Sequence, residues 1–481
     1  MATMSPTQLS LLSDLVGRWT GLYFPEDRYT ELERGIVRAA KDFGYRDADA
    51  LVDLMMASEL STDQIKTLAW HLTVGETYFL RGKSTFEVLE NDILPELVLA
   101  RRGKEQQLRL WSAGCSGGEE AYSLAITASR LLPDIGDWNT TILATDINTR
   151  ALHKGQGGVY GNWSFRDTPD WLRAQFFSAA ANGDWAIRPR IKKMVTFSYL
   201  NLNLDPYPSL ATNTNAMDVI FCRNVIMYFS PEVMRRVIGN LHDALREGGY
   251  LFVAPSEASQ ELFPQFVRQS LRGEIFFRKD TAALAEQEAR KLAPRASAAT
   301  ATGIAARSKA KVAAPARRLV AVPRPPAPAP ARKQQPTPAT VAVKTQADAG
   351  ALAAAARAAA NQGRLSEALG QVEQAIAADK VEAAYHYLYA TILEELARPE
   401  DAVKALTSAL FLDPGFALAH FLNGNIARRA GRAAEAKRHF QKTLVALETR
   451  PTDEILPESE GMTAGKLAEI VKSLLEMEVA R

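Results

Sequence analysis

Two acidic signals stand at the ends of apolar runs of strand length. Gln107 to Ser112 leads into Ala113-Gly114-Cys115-Ser116-Gly117-Gly118-Glu119-Glu120, and a second run ends Ala144-Thr145-Asp146-Ile147-Asn148. A glycine-rich turn that follows a strand and opens a helix lets a ligand approach the backbone closely. This turn lacks the spacing of a dinucleotide fingerprint, no Gly-Lys-Ser/Thr follows it, and its Glu119-Glu120 pair would repel a pyrophosphate. A cation is the better match. S-adenosylmethionine carries a sulfonium and an ammonium, and the carboxylate of Asp146 stands where a ribose would present two hydroxyls. A carboxylate in that position serves equally well as the cap of the next helix. Cys115 and Cys222 read as small packed residues, not nucleophiles, and the six histidines show no zinc-ligand spacing, so no metal is expected.

Placing such a site takes a mostly parallel sheet. Gln107 to Ser112, Thr140 to Thr145, Met194 to Tyr199, Asp218 to Cys222 and Gly249 to Ala254 are strand-length apolar runs separated by helical stretches. Residues 1–80 carry helical patterning without strands and predict a small all-α domain before an α/β Rossmann-like domain at 81–280. Residues 281–349 are rich in Ala, Pro, Lys and Arg and predict a disordered basic linker. Beyond it Gly363, Ala397 and Gly431 recur every 34 residues, as do Ala368, Ala402 and Ala436. That period resembles the tetratricopeptide repeat, an all-α solenoid, at 350–450, with Ala390 and Gly424 in register where helices approach closely. Residues 451–481, with Leu467, Ile470, Val471, Leu474 and Leu475 on one face, predict a capping helix.

Composition restricts the rest. A chain of 481 residues with 47% hydrophobic and 23% charged residues predicts several globular domains, and a net charge of +2 offers no global footprint for nucleic acid. Two cysteines argue against a disulfide framework. Neither a run of about 18 apolar residues nor a basic segment ahead of a short apolar run at the start is present. A cytoplasmic protein that does not span a membrane is expected.

The motifs Val74-Gly75-Glu76-Thr77-Tyr78-Phe79-Leu80-Arg81, Trp111 to Glu120, Phe221-Cys222-Arg223-Asn224-Val225-Ile226-Met227-Tyr228-Phe229 and Ser256-Glu257 agree in order and spacing with one family. Over about residues 1–280 the chain resembles the CheR-type chemotaxis receptor methyltransferases. The resemblance implies methyl transfer from S-adenosylmethionine to receptor glutamates, with a small antiparallel insertion in the sheet domain. Position by position, it implies cofactor contacts from Thr77, Arg81, Glu120, Asp146, Asn201, Leu202, Arg223 and Asn224. Arg81 and Tyr228 would orient the reacting groups. Gly75 stands where the family usually has Asn, so the hydrogen bond that side chain makes, worth about 0.5–1.5 kcal/mol, would be missing, and cofactor binding weakened, not abolished.

Arg34, Arg38 and Lys41, spaced i, i+4 and i+7, share one helical face. The resemblance makes this stripe the candidate surface for an acidic receptor helix, although an ordinary solvated face has the same pattern. A hairpin is expected around Ala181-Asn182-Gly183-Asp184; its short turn lacks the Gly-rich extension with which members of the resembled family grip a receptor's tail peptide, so the resemblance implies docking independent of the tail. The expected partners are the cytoplasmic domain of a chemoreceptor-like protein and an unknown protein ligand of the repeats. Two alternatives stay open: a methyltransferase of another acceptor, or a repeat scaffold with a weak or inactive enzyme domain.

Overall fold

The structure is a computed structural model that describes residues 4–292 and 338–479. Four helices come first, α1 (Pro6–Thr20), α2 (Tyr29–Asp42), α3 (Ala48–Ala57) and α4 (Thr62–Leu72). Ser5 and Ser61 start α1 and α4 with capping boxes closed by Gln8 and Gln64. Their apolar faces meet in a closed core that includes Leu12, Val16, Leu32, Ile36, Leu51 and Leu68.

Ten strands follow among the described residues: β1 (Gln107–Ala113), β2 (Asn139–Asp146), β3 (Val159–Tyr160), β4 (Phe177–Ala179), β5 (Trp185–Ile187), β6 (Val195–Tyr199), β7 (Met217–Phe221), β8 (Leu245–Phe252), β9 (Val267–Leu271) and β10 (Glu274–Arg278). Seven of them form one sheet in the order β6-β2-β1-β7-β8-β10-β9. The first five of that order run parallel, and β10 and β9 close the edge antiparallel. Every residue of β1 and β7 is buried, as expected of central strands covered on both faces. The chain leaves β1 toward β2 on one side, and β7 lies on the other. A crevice therefore opens beyond the carboxyl ends of β1 and β7, where open α/β sheets bind ligands. Strands β3, β5 and β4 make the small antiparallel insertion. Its β4–β5 turn passes through left-handed Asn182 and Gly183, at the hairpin the sequence suggested.

Three helical hairpins compose the repeats: Pro338–Asn361 with Leu365–Ala378, Ala383–Glu395 with Pro399–Leu412, and Ala417–Arg429 with Ala433–Leu447. Gly363, Ala397 and Gly431 all adopt positive φ, +74°, +55° and +73°, so the 34-residue column marks one left-handed turn per repeat. At Gly424 an added Cβ would come within 2.5 Å of the Phe440 ring, which explains the small residue there. The first repeat builds its core largely from alanines, including Ala353, Ala356, Ala360 and Ala368. Helix Ala464–Val479 seals the end, with Leu467, Val471 and Leu474 buried.

The expected linker needs correction at both ends. Residues 281–292 are helical, and helix Pro338–Asn361 reaches back into the segment; the central 293–337 lies outside the described residues. Nor does the repeat module hang free. The Arg109 guanidinium on β1 pairs with Glu395 at 2.6 Å, with side chains 2% and 5% exposed. The Glu395 carbonyl accepts from Gln107 Nε2 and Asn139 Nδ2, while Leu210 and Ala211, in the loop before β7, pack against the repeat cores. No helix among the described residues is long and apolar enough to cross a membrane.

Candidate cofactor site

A cleft of about 800 Å³ lies between the amino-terminal helices and the carboxyl ends of β1, β2, β6 and β7. Gly114 opens it. Its φ is +83°, and a Cβ there would strike Val225 at 2.3 Å, so only glycine allows the loop after β7 to close against the turn after β1. Asp146 lines the cleft beside the same turn. Its carboxylate accepts from the Ser116 N–H at 2.8 Å and the Asn148 N–H at 2.7 Å. The next helix is capped by Asn148 instead, whose side chain accepts from the Ala151 N–H, so the capping alternative for Asp146 does not hold. Burial pushes the Asp146 carboxyl above its ordinary value, against backbone hydrogen bonds from Asn148, Ser116 and Ile147.

Of the sequence-derived candidates, Gly75, Asp146, Asn201, Leu202, Asn224 and Tyr228 line the cleft together. Thr77, Arg81, Glu120 and Arg223 are not among its lining residues. The last three instead form an adjoining polar cluster. Glu120 accepts from Ser112 Oγ at 2.7 Å and faces Arg223 at 3.5 Å, while Arg223 donates to the Arg81 carbonyl at 2.5 Å. Burial raises the Glu120 carboxyl, with Arg223 opposing the shift. The Arg81 guanidinium donates to the Glu76 carbonyl. Asn201 contributes less of its side chain than expected. Its amide donates to the Trp19 carbonyl at 2.8 Å and accepts from the Asn203 N–H, so it caps the end of α1. Arg34, Arg38 and Lys41 are exposed on α2, opposite Leu32, Ile36 and Ala39, and Arg38 donates to the His71 carbonyl.

Sequence reasoning missed two features. The first is the amino-terminal wall of the cleft, Thr20, Leu22 to Phe24 and Arg28. The Tyr23 N–H donates to the Tyr228 carbonyl, and Arg28 lies 5.0 Å from the Phe24 ring centre and 5.3 Å from that of Tyr228. Nothing local to residues 20–28 announces these contacts, because they join segments 200 residues apart. The second is Glu257, whose carboxylate accepts from the backbone of Asn224, Val225, Met227 and Ala254 and so holds the loop after β7 in shape. The Ser256-Glu257 pair was visible as a motif, but its work was not. Both cysteines are buried, and burial pushes their thiols well up, away from reactivity.

A half-buried carboxylate flanked by a glycine turn at the switch point of a parallel sheet fits a cationic nucleoside, and fold and site together define an S-adenosylmethionine-dependent methyltransferase. Residues 75–270 match the S-adenosylmethionine-binding domain of the CheR methyltransferases, and 353–415 and 390–451 match tetratricopeptide repeats. Chemotaxis protein methyltransferase 1 of Pseudomonas aeruginosa is 39% identical over 196 residues, covering 40% of this chain and 69% of that protein. Chemotaxis protein methyltransferase 2 of Vibrio cholerae is 32% identical over 204 residues, covering 42% and 69%. A probable chemotaxis protein methyltransferase of Rhizobium etli is 33% identical over 217 residues, covering 44% and 77%. The chain belongs to the CheR methyltransferase family and joins its catalytic domain to tetratricopeptide repeats.

Proposed function

We propose that this protein methylates glutamate side chains of chemoreceptor-like signalling proteins, giving glutamate methyl esters. The observation that carries the reading is a cleft shared by the sheet domain and the amino-terminal helices, with the half-buried Asp146 carboxylate and Tyr228 both lining it. The reading takes domain boundaries near residues 80 and 280 and assigns Asp146, which lines the cleft, and Glu120, in the polar cluster beside it, to cofactor binding.

S-adenosylmethionine supplies an electrophilic methyl group. A glutamate carboxylate has an ordinary pKa of about 4.3, so at neutral pH it attacks without a general base. When bound, the cofactor would pass the methyl carbon to the carboxylate oxygen and keep the electron pair of the broken carbon–sulfur bond as a thioether. No proton moves, so the protein's contribution is placement. Asp146 would accept hydrogen bonds from the cofactor's hydroxyls, Glu120 would balance positive charge, and Arg28, which lies over both the Phe24 and Tyr228 rings, would steady Tyr228. Arg81 and Tyr228 then align the acceptor carboxylate, and the exposed Arg34, Arg38 and Lys41 face attracts an acidic receptor helix. The short β4–β5 turn supports docking that does not depend on a tail peptide.

The test is incubation of the full chain with radiolabelled S-adenosylmethionine and the cytoplasmic domains of receptors encoded beside it. Base-labile label on glutamates is expected, and Arg81→Ala should lower turnover more than cofactor affinity. Base-stable label, or label on another residue type, overturns the glutamate assignment.

A further inference from the structure

The cap of the repeat module reaches the wall of the cofactor cleft. Lys466, near the start of helix Ala464–Val479, places its ammonium 2.9 Å from Asp205 Oδ1, with side chains 14% and 8% exposed. The other oxygen of Asp205 accepts the Asn201 N–H at 2.6 Å, and the Asp205 N–H returns a bond to the Asn201 carbonyl at 2.9 Å. Asn201 and its neighbours Leu200 and Leu202 line the cofactor cleft. Asn201 also lines a second cleft of about 600 Å³ that Lys466, Thr463 and Gly461 border from the repeat side. One residue thus separates the cap from the cofactor site.

The same ammonium lies 4.3 Å from the ring centre of Tyr199, the last residue of β6, and Lys66 of α4 lies 5.3 Å from it. The amino-terminal helices, the sheet and the cap therefore converge on the segment from Tyr199 to Asp205. The buried Arg109–Glu395 pair and the Leu210 N–H on Glu460 fix the module against this side of the sheet.

We infer that Lys466 is a positioning residue for cofactor binding: through Asp205 it holds the 200–202 wall of the cleft, so that the repeat module is part of the binding machinery. This rests on the reading that the cleft holds S-adenosylmethionine. Without the ammonium, Asp205 is a nearly closed-off carboxylate whose remaining bond is to the Asn201 N–H. Turning toward water to recover solvation costs that bond and frees the wall. By reciprocity, a cofactor that orders the wall must also steady the cap.

The experiment uses the full chain and calorimetric titration with S-adenosylmethionine. Lys466→Met keeps the apolar stem and removes the charge; it should weaken binding about fivefold or more, the lower end of couplings between linked sites. Lys466→Arg should restore most of the affinity, and Asp205→Asn should mimic Lys466→Met. In the unmutated chain, saturating S-adenosylmethionine should slow amide hydrogen exchange in residues 464–475, a response lost in Lys466→Met. Asp146→Ala, titrated in parallel, separates the two readings. If Asp146→Ala leaves affinity unchanged, the cleft assignment fails. If Asp146→Ala weakens binding while Lys466→Met does not, or if the cofactor leaves exchange in the cap untouched, the positioning role of Lys466 is overturned.

Discussion

Glu395→Ala tests whether the repeat module is built into the enzyme. The substitution leaves the Arg109 guanidinium, 2% exposed, facing a space once filled by a carboxylate 2.6 Å away. Breaking a buried pair by removing one partner costs about 3–5 kcal/mol, because the remaining charge is neither paired nor hydrated. Arg109 keeps the carbonyls of Asn213 and Asn215, each at 3.1 Å, and the Glu395 carbonyl still accepts from Gln107 and Asn139. Those contacts place the expected loss toward the lower end, about 3 kcal/mol. Urea unfolding followed by fluorescence should show either one transition at lower midpoint or an early separate transition of the repeats. The double variant Arg109→Met with Glu395→Leu removes both charges and should recover most of the loss, since a packed apolar pair avoids the desolvation penalty. A change below about 1 kcal/mol in Glu395→Ala, the range of exposed pairs, would refute the claim that the interface forms in solution.

Four further outcomes are expected. Gly75→Asn should tighten S-adenosylmethionine binding about 2- to 10-fold, one ordinary hydrogen bond. Space permits it, since a Cβ on Gly75 meets nothing nearer than Ser116 Oγ at 3.6 Å; calorimetry that finds no gain would mean the missing Asn is compensated elsewhere. Asp146→Ala should weaken the same binding by about 10- to 150-fold, the value of a hydrogen bond to a charged group, with near-native circular dichroism; unchanged affinity removes Asp146 from the site. Affinity should also fall on acidification. In the proposed site the ionised Asp146 and Glu120 would hold the cationic cofactor, and burial raises both carboxyls above their ordinary values, so protons should compete at higher pH than for exposed carboxylates. The same raised values mean that these two groups withdraw folding stability as pH rises through them, so the loss of affinity in acid should not be accompanied by unfolding that originates in them. A titration series in which affinity never falls on acidification, down to the pH at which the chain unfolds, would contradict the assignment. Finally, Glu257→Gln should lower both stability and cofactor affinity, because its amide group would turn an N–H toward backbone donors of the 224–227 loop; a thermal scan matching the parent chain would show that water can replace the carboxylate.

What the sequence determined by itself is local or periodic. Alternating apolar runs specify the strands, because a central parallel strand must be apolar on both faces, and Ser5 and Ser61 announce helix starts through caps read within three residues. The 34-residue column announces the repeats because one left-handed residue must recur at each helix–helix turn. The place of Asp146 in the cleft was legible for the same reason: the end of a strand beside a glycine turn is a position defined by its immediate neighbours. Tertiary structure alone decided which of these features meet. Only folding brings Tyr23 to Tyr228, spends the Asn201 amide on the end of α1 and sets Glu395 on Arg109. It also turned a module that composition presented as tethered into one packed against the sheet. A buried charge pair between residues 286 positions apart has no periodic trace, since its energy depends on the desolvation of both partners and exists only once both surfaces are closed.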